Sequence, residues 1–196
     1  GLQASYLVFA GVLLAGGAAA LAAAAGARRL VQVGALAGAA AAAVAVAPLW
    51  TPWDPVLATS GVHRYGLEWI HRVDSPLRLG AWLREQRELL FYREGTEAVV
   101  AVQAPRGGER RFLSINGKTD AGSGALDVAQ QRFVAHVPLL LHAAPERVAF
   151  LGLGTGITAS GALRQGAVGS VTIVELSPLV AEAAAALPSQ KAVLTW

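Results

Sequence analysis

Cysteine and methionine are both missing from this chain of 196 residues. The first absence excludes a disulfide framework and cysteine-ligated zinc, while leaving the compartment open. The second, in a chain that starts at Gly1, reads as a processed or partial piece of a longer polypeptide. Charge is scarce at the start: among residues 1–50 the only charged side chains are Arg28 and Arg29. The other 146 residues carry 14 Lys plus Arg against 13 Asp plus Glu. The net charge of +3 therefore reflects no basic face built for phosphate backbones, and nucleic-acid binding is not expected.

What the first 50 residues do have is length without charge. Ala4 to Gly26 is an uncharged stretch of 23 residues and Leu30 to Trp50 one of 21. Each suffices to cross a hydrocarbon layer of about 30 Å at about 1.5 Å per residue. Two transmembrane helices joined by a tight turn are expected, with an alanine-rich hairpin buried in protein as the alternative. A signal peptide fits worse, because no basic leader is present and the apolar stretch exceeds an h-region. Small residues dominate both stretches, and Gly34 and Gly38 give the GxxxG spacing that lets helices approach closely, which implies neighbouring helices or subunits. Trp50 and Trp53, around Pro52, read as an interfacial anchor.

Beyond this point periodicity and turn residues define the elements. Residues 76–88 fit a short helix carrying Leu77, Leu79, Trp82 and Leu83. Residues 89–92, 98–102 and 111–115 alternate as strands, separated by Glu94-Gly95 and by Pro105-Arg106-Gly107-Gly108. Asn116-Gly117 then turns the chain into a glycine- and serine-rich loop over 120–124. A helix is expected over 126–137 with Val128, Phe133, Val134 and Val137 on its apolar side, broken or bent at Pro138. His136 and His142, six apart across that proline, do not share a helical face and are read as core or boundary histidines; no metal is expected.

The chemistry lies further on. A buried strand, Val148 to Leu151, runs into Gly152-Leu153-Gly154-Thr155-Gly156, and Glu175 closes the next apolar run, Val171 to Val174. A strand, a glycine turn that opens a helix and an acid at the tip of the neighbouring strand describe a pocket for a nucleoside-bearing ligand. The glycines admit close backbone approach, and the acid can accept both ribose hydroxyls. A nicotinamide fingerprint needs a third glycine at position 157, where the chain has Ile157; the G-x-G-x-G spacing suits pockets of the S-adenosylmethionine type. A ligand-free turn is the competing reading, and Glu175 also suits the start of a helix with Ser177 as N-cap and Pro178 as first helical residue. Asp120 and Asp127 flank a loop and can face a cationic amine, although turn and helix-start roles explain both equally well.

From Leu90 to about Ala186 the chain resembles spermidine synthases and their membrane-fused bacterial relatives. The matching segments are 113–118, 135–142, 145–148 and 174–178, with 136–156 the most specific; Trp53-Asp54-Pro55 and Ser60 to Tyr65 are similar to the junction after the membrane helices. The resemblance implies transfer of an aminopropyl group from decarboxylated S-adenosylmethionine to an amine such as putrescine. It places Gly152, Gly154, Thr155 and Gly156 under the donor, Glu175 at its ribose and Gln131 where the family has a donor-contacting His. Thr155 stands where the family commonly has Asp, and a neutral hydroxyl cannot offset an ammonium charge as a carboxylate does. The amine-deprotonating Asp of the family is expected beyond Trp196.

The combined expectation is an α/β chain: a transmembrane hairpin (1–50), a junction (51–88), a small antiparallel β meander (89–125), and the start of an incomplete Rossmann-like doubly wound sheet (126–196). It is a membrane-anchored aminopropyltransferase whose donor site is Gly152, Gly154, Thr155, Gly156, Glu175 and Gln131, with Asp127 toward a small amine substrate. A bacterial inner-membrane location follows, the rest of the chain on the cytoplasmic side even though Arg28 and Arg29 in the turn favour the opposite orientation. The rivals are a noncatalytic membrane subunit that keeps the fold as an interaction surface, and a methyltransferase using S-adenosylmethionine, disfavoured because Phe150 occupies the position where that class usually has an acid.

Overall fold

Alanine-rich sequence without proline gives two helices, α1 (Leu2–Ala24) and α2 (Arg29–Val46), which pack on one another in a compact unit Gly1–Trp53. The computed structural model describes residues 2–24, 29–46 and 53–187, so Arg28, Trp50 and Pro52 lie outside the described residues. Trp53 lies with its ring centroid 5.6 Å from that of Tyr6. A Cβ built on Gly34 or Gly38 meets no atom within 4 Å.

Among the described residues no helix is long and apolar enough to cross a membrane, which overturns the expected transmembrane hairpin and, with it, the inner-membrane location. The physical reason lies in composition. Alanine and glycine add helix length but little transfer free energy, which in membrane spans comes from Leu, Ile, Phe and Val.

The second compact unit, Asp54–Trp196, begins with short helices: α3 (Pro55–Ala58), α4 (Val62–Ile70), a 3-10 turn (Pro76–Arg78) and α5 (Leu79–Gln86). Asp54 caps α3 by accepting from the Val56 amide at 2.9 Å, and it also pairs with Arg84 of α5. Gly61, the N-cap of α4, has φ +77°, and a Cβ there would lie 2.4 Å from the Gly117 carbonyl oxygen. Only glycine permits that approach.

An antiparallel sheet follows in the order β1 (Arg87–Glu94), β2 (Val99–Pro105), β3 (Phe112–Ile115), β4 (Lys118–Gly122). The Asn116-Gly117 turn, with φ of 51° and 77°, joins β3 to β4, as two-residue hairpins require. The segment expected as a loop from Asp120 is thus largely a strand, completed by pairing with β3 around a register shift at Leu113/Ser114. Central strand β2 is buried on both faces. Val100 and Val102 face one core, while Gln103, 2% exposed, donates to Thr59 Oγ1 at 2.6 Å and accepts from Arg87 at 3.0 Å. The Arg87 guanidinium also stacks 4.6 Å from the Trp69 ring, and its burial lowers its pKa.

Helix α6 (Ala125–Leu141) runs through Pro138 rather than ending there. The bonding resumes at once, the His142 amide reaching the Pro138 carbonyl at 3.1 Å. Its buried contact is Ala135, opposite Gly161, whereas Phe133 and Val134 of the expected apolar side are 68% and 57% exposed. The remaining elements form a parallel βαβ unit: β5 (Arg147–Leu151), α7 (Ile157–Leu163), β6 (Ser170–Val174), then α8 (Pro178–Ala183) and a 3-10 turn (Ala184–Ala186). Strand β5, expected to be buried, alternates, with Leu151 90% exposed. Val180, Ala183, Ala184 and Leu187 pack with Val100, Val102, Leu113 and Leu153, so α8 joins the βαβ unit to the meander in one core. The chain is therefore α/β, with an antiparallel sheet and a Rossmann-like part.

Replacing Gln103 by Leu leaves Thr59 and Arg87 without their buried partner and is expected to cost about 1–3 kcal/mol, read as a lower urea midpoint at unchanged slope. The Tyr92 phenol, pushed up to about 12 by burial and then by its hydrogen bond to Glu94, has a second consequence. A pKa raised above the unfolded value of about 10 stabilises the fold fully below that pH, and the contribution disappears as pH rises through the folded value. Tyr92→Phe should flatten the fall in stability between roughly pH 10 and 12 in alkaline denaturation.

Candidate functional site

Where β5 ends the backbone turns sharply, and Gly152, Gly154 and Gly156 take φ of 96°, 54° and 73°. These left-handed conformations explain why glycine stands there. A Cβ on Gly152 or Gly154 meets nothing within 4 Å, so the chain leaves open space over the turn.

Glu175 lies just past β6. Its Oε2 accepts from the Leu153 amide at 2.7 Å and its Oε1 from the Ser177 amide at 2.9 Å, while the Gly152 amide reaches the Val174 carbonyl at 2.7 Å. The carboxylate therefore ties the glycine turn to the start of α8. Ser177 occupies the N-cap position but makes no capping bond with its side chain, and its buried hydroxyl finds no partner among the described residues. Glu175 does that work two residues earlier. Each carboxylate oxygen has a further lone pair, so ribose hydroxyls can still be accepted there.

On the other side of the turn, buried Thr155 donates to Gln131 Oε1. Gln131 Nε2 donates to the carbonyls of Gly122 at 3.0 Å and Asp127 at 3.1 Å. Gln131, readable from sequence as a solvated helix position, instead connects β4, α6 and the turn. A cavity of about 450 Å³ opens here, lined by Asp120, Asp127, Gln130, Gln131, Phe150, Thr158 and the turn from Gly152 to Thr155. Asp127, Gln130, Gln131 and Val134 form one helical stripe of α6. Gln130 and Thr158 escaped the sequence reading, and Phe150 entered it only as a missing acid; for Gln130 the i, i+3, i+4, i+7 spacing that starts at Asp127 was the available signal. Asp127 sits close against the backbone, its Oδ2 2.7 Å from where a Gly122 Cβ would be. Asp120 is paired with Lys118.

The lining contains two carboxylates and no basic residue, which favours a cationic ligand beside an apolar wall. Gly152, Gly154, Thr155, Gln131 and Asp127 come together around one cavity. Gly156 caps α7 next to them, and Glu175 holds the turn through the Leu153 amide without itself lining the cavity. Among the described residues no three His, Cys, Asp or Glu cluster as a metal site. His136 contacts Gln165 at 2.5 Å and His142 accepts from the Ala144 amide at 3.1 Å.

No protein-family model matches the chain, and no curated protein matches it. Solved structures similar to it include spermidine synthase from Thermotoga maritima, 23% identical with a TM-score of 0.47, covering 53% of this chain and 36% of that one. Another is a spermidine synthase in complex with the transition-state analogue AdoDATO, also 23% identical with a TM-score of 0.47, covering 53% of this chain and 35% of its own. The chain spans about a third of the length of these structures.

Glu175→Ala should speed hydrogen exchange at the Leu153 and Ser177 amides and lower stability by roughly 1.5–3 kcal/mol, the range for hydrogen bonds to a charged group. Unchanged protection at both amides would show that the carboxylate does not hold the turn.

Proposed function

We propose that this chain contributes the donor site of a spermidine-synthase-like aminopropyltransferase, binding decarboxylated S-adenosylmethionine over the glycine turn. The observation that carries the proposal is an acid-lined cavity directly beside a left-handed G-x-G-x-G turn with open space above it. In this reading the adenosine lies over Gly152, Gly154 and Gly156, and Glu175 accepts the ribose hydroxyls while keeping its two backbone amides. Gln131 and Thr155 shape the floor. Asp127, with Asp120, faces the cationic groups of donor and amine.

In the reaction the amine nitrogen attacks the carbon bonded to the sulfonium, the carbon–sulfur bond breaks with its electrons going to sulfur, and methylthioadenosine leaves. The residues named here bind and align the reactants, a contribution that rests on positioning. The attacking nitrogen gives up a proton in this step, and a general base takes it.

A noncatalytic interaction module is the second reading. It is favoured by Thr155, which is buried and committed to Gln131 where the resembled family has a carboxylate, and by Glu175, both of whose oxygens already accept an amide. A methyltransferase using S-adenosylmethionine is the third.

Calorimetry on the full chain separates these readings. Decarboxylated S-adenosylmethionine and methylthioadenosine are expected to bind, and Asp127→Asn is expected to weaken the cationic donor about tenfold while leaving methylthioadenosine nearly unaffected. No heat with either ligand at millimolar concentration leaves the noncatalytic reading, and preference for S-adenosylmethionine over its decarboxylated form favours methyl transfer.

A further inference from the structure

A second and larger cavity, about 720 Å³, lies between the start of β3, α6 and α7. Its lining has the opposite electrostatic character: Arg110, Arg111, Arg132 and Arg164 against the single carboxylate of Glu109, with Ser123 and Ser160 between them. Among the described residues the ion pairs involve Arg78, Arg84 and Lys118, and none of these four arginines. Arg111 donates to the Ala186 carbonyl and Arg110 lies 5.7 Å from the Phe112 ring, so both are anchored by neutral partners. The stem of Arg132 lies over Gly161, and Arg164 sits at the C-cap of α7.

Helix-end electrostatics explain one arginine at the end of α7. They do not explain why three more arginines, from two other segments of the chain, converge on the same concavity against one carboxylate. Convergent like charge in a cleft is unfavourable for the protein alone and raises the local potential for anions. The planar guanidinium fork matches phosphate oxygens in a bidentate geometry. The volume falls within the range typical of small-molecule sites.

Two helices separate the two cavities. Asp127, Gln130 and Gln131 of α6 line the acidic one, while Val128 and Arg132 line the basic one; on α7, Thr158 faces the first and Ile157, Ser160 and Arg164 the second. A cationic donor or amine is repelled from the arginine side, so this cleft is no extension of the proposed donor site.

We propose that the arginine-lined cleft is a separate ligand site for a small multivalent phosphate-class anion, a di- or triphosphate group with or without an attached nucleoside. Arg132, Arg164 and Arg110 grip the phosphate oxygens, and Ser160 and Ser123 supply hydroxyl donors. Ser123 Oγ already accepts from the Arg111 amide at 2.9 Å, which leaves its proton for the ligand. The proposal stands whether or not the donor site is catalytic.

The test is calorimetry of the full chain with inorganic tripolyphosphate and with ADP at low and at physiological ionic strength. Both are expected to bind, more weakly as salt rises. Removal of charge in Arg132→Gln and Arg164→Gln is expected to weaken binding by about tenfold each, the size of a lost charge-assisted hydrogen bond. Arg93→Gln, on a strand outside the cleft, should leave affinity unchanged, and circular dichroism checks that each variant folds. Ser160→Asp, which sets a carboxylate inside the cleft, should abolish binding without removing any arginine. Tighter binding of ADP than of tripolyphosphate identifies a nucleotide site, and equal or weaker binding an inorganic polyphosphate site. No binding at low salt, or wild-type affinity in both single arginine variants and in Ser160→Asp, overturns the proposal.

Discussion

One carboxylate holds this architecture at its most demanding point. Glu175 accepts the Leu153 amide with one oxygen and the Ser177 amide with the other, so a single side chain fixes the glycine turn and the first turn of α8 together. Hydrogen bonds from amides to an ionised acceptor are stronger than those to a neutral one, and this pair spans a sequence separation of 24 residues. The consequence travels through α8. Val180, Ala183 and Ala184 enter the same core as Val100, Val102 and Leu113, and that core joins the parallel βαβ unit to the antiparallel meander. The same acid thus determines where the glycine turn lies relative to that core.

Opposite charges are distributed on either side of two packed helices. Helix α6 turns Asp127 toward one cavity and Arg132, five residues later, toward the other, and α7 divides its side chains in the same way. The close crossing of the helices rests on small residues: a Cβ at Gly161 would come within 3.3 Å of the Ala135 methyl. Helix α6 also continues past Pro138. The proline removes one amide donor, but the turns on either side keep their bonds and the helix keeps its packing partner.

Local rules were legible where the chain's own chemistry dominates. The strand, glycine turn and helix from Val148 to Leu163 could be read from glycine positions, and the turn at Asn116-Gly117 from a dipeptide that tolerates two positive φ values. Asp127 and Gln131 were named separately, one as an acid flanking a loop and the other through the resemblance, and only the fold sets them on one stripe of α6. Strand β4 was not, because Lys118-Thr-Asp-Ala-Gly122 has little strand propensity and becomes a strand only by pairing with β3. The alanine-rich helices misled in another way, since absence of charge is a weaker signal for a membrane than presence of large apolar side chains.

Residue order alone determined the helix start at Pro178, the left-handed turn at Gly152 to Gly156, and the neutral balance of the chain beyond its first helices, because each follows from backbone sterics or from a count. Tertiary structure decided the rest: that Gln131 binds Thr155, that Glu175 is engaged by backbone amides, and that four arginines from three segments of the chain share a cleft. Those outcomes depend on which helix faces pack, and packing is set by contacts between segments far apart in the chain, which no local pattern encodes.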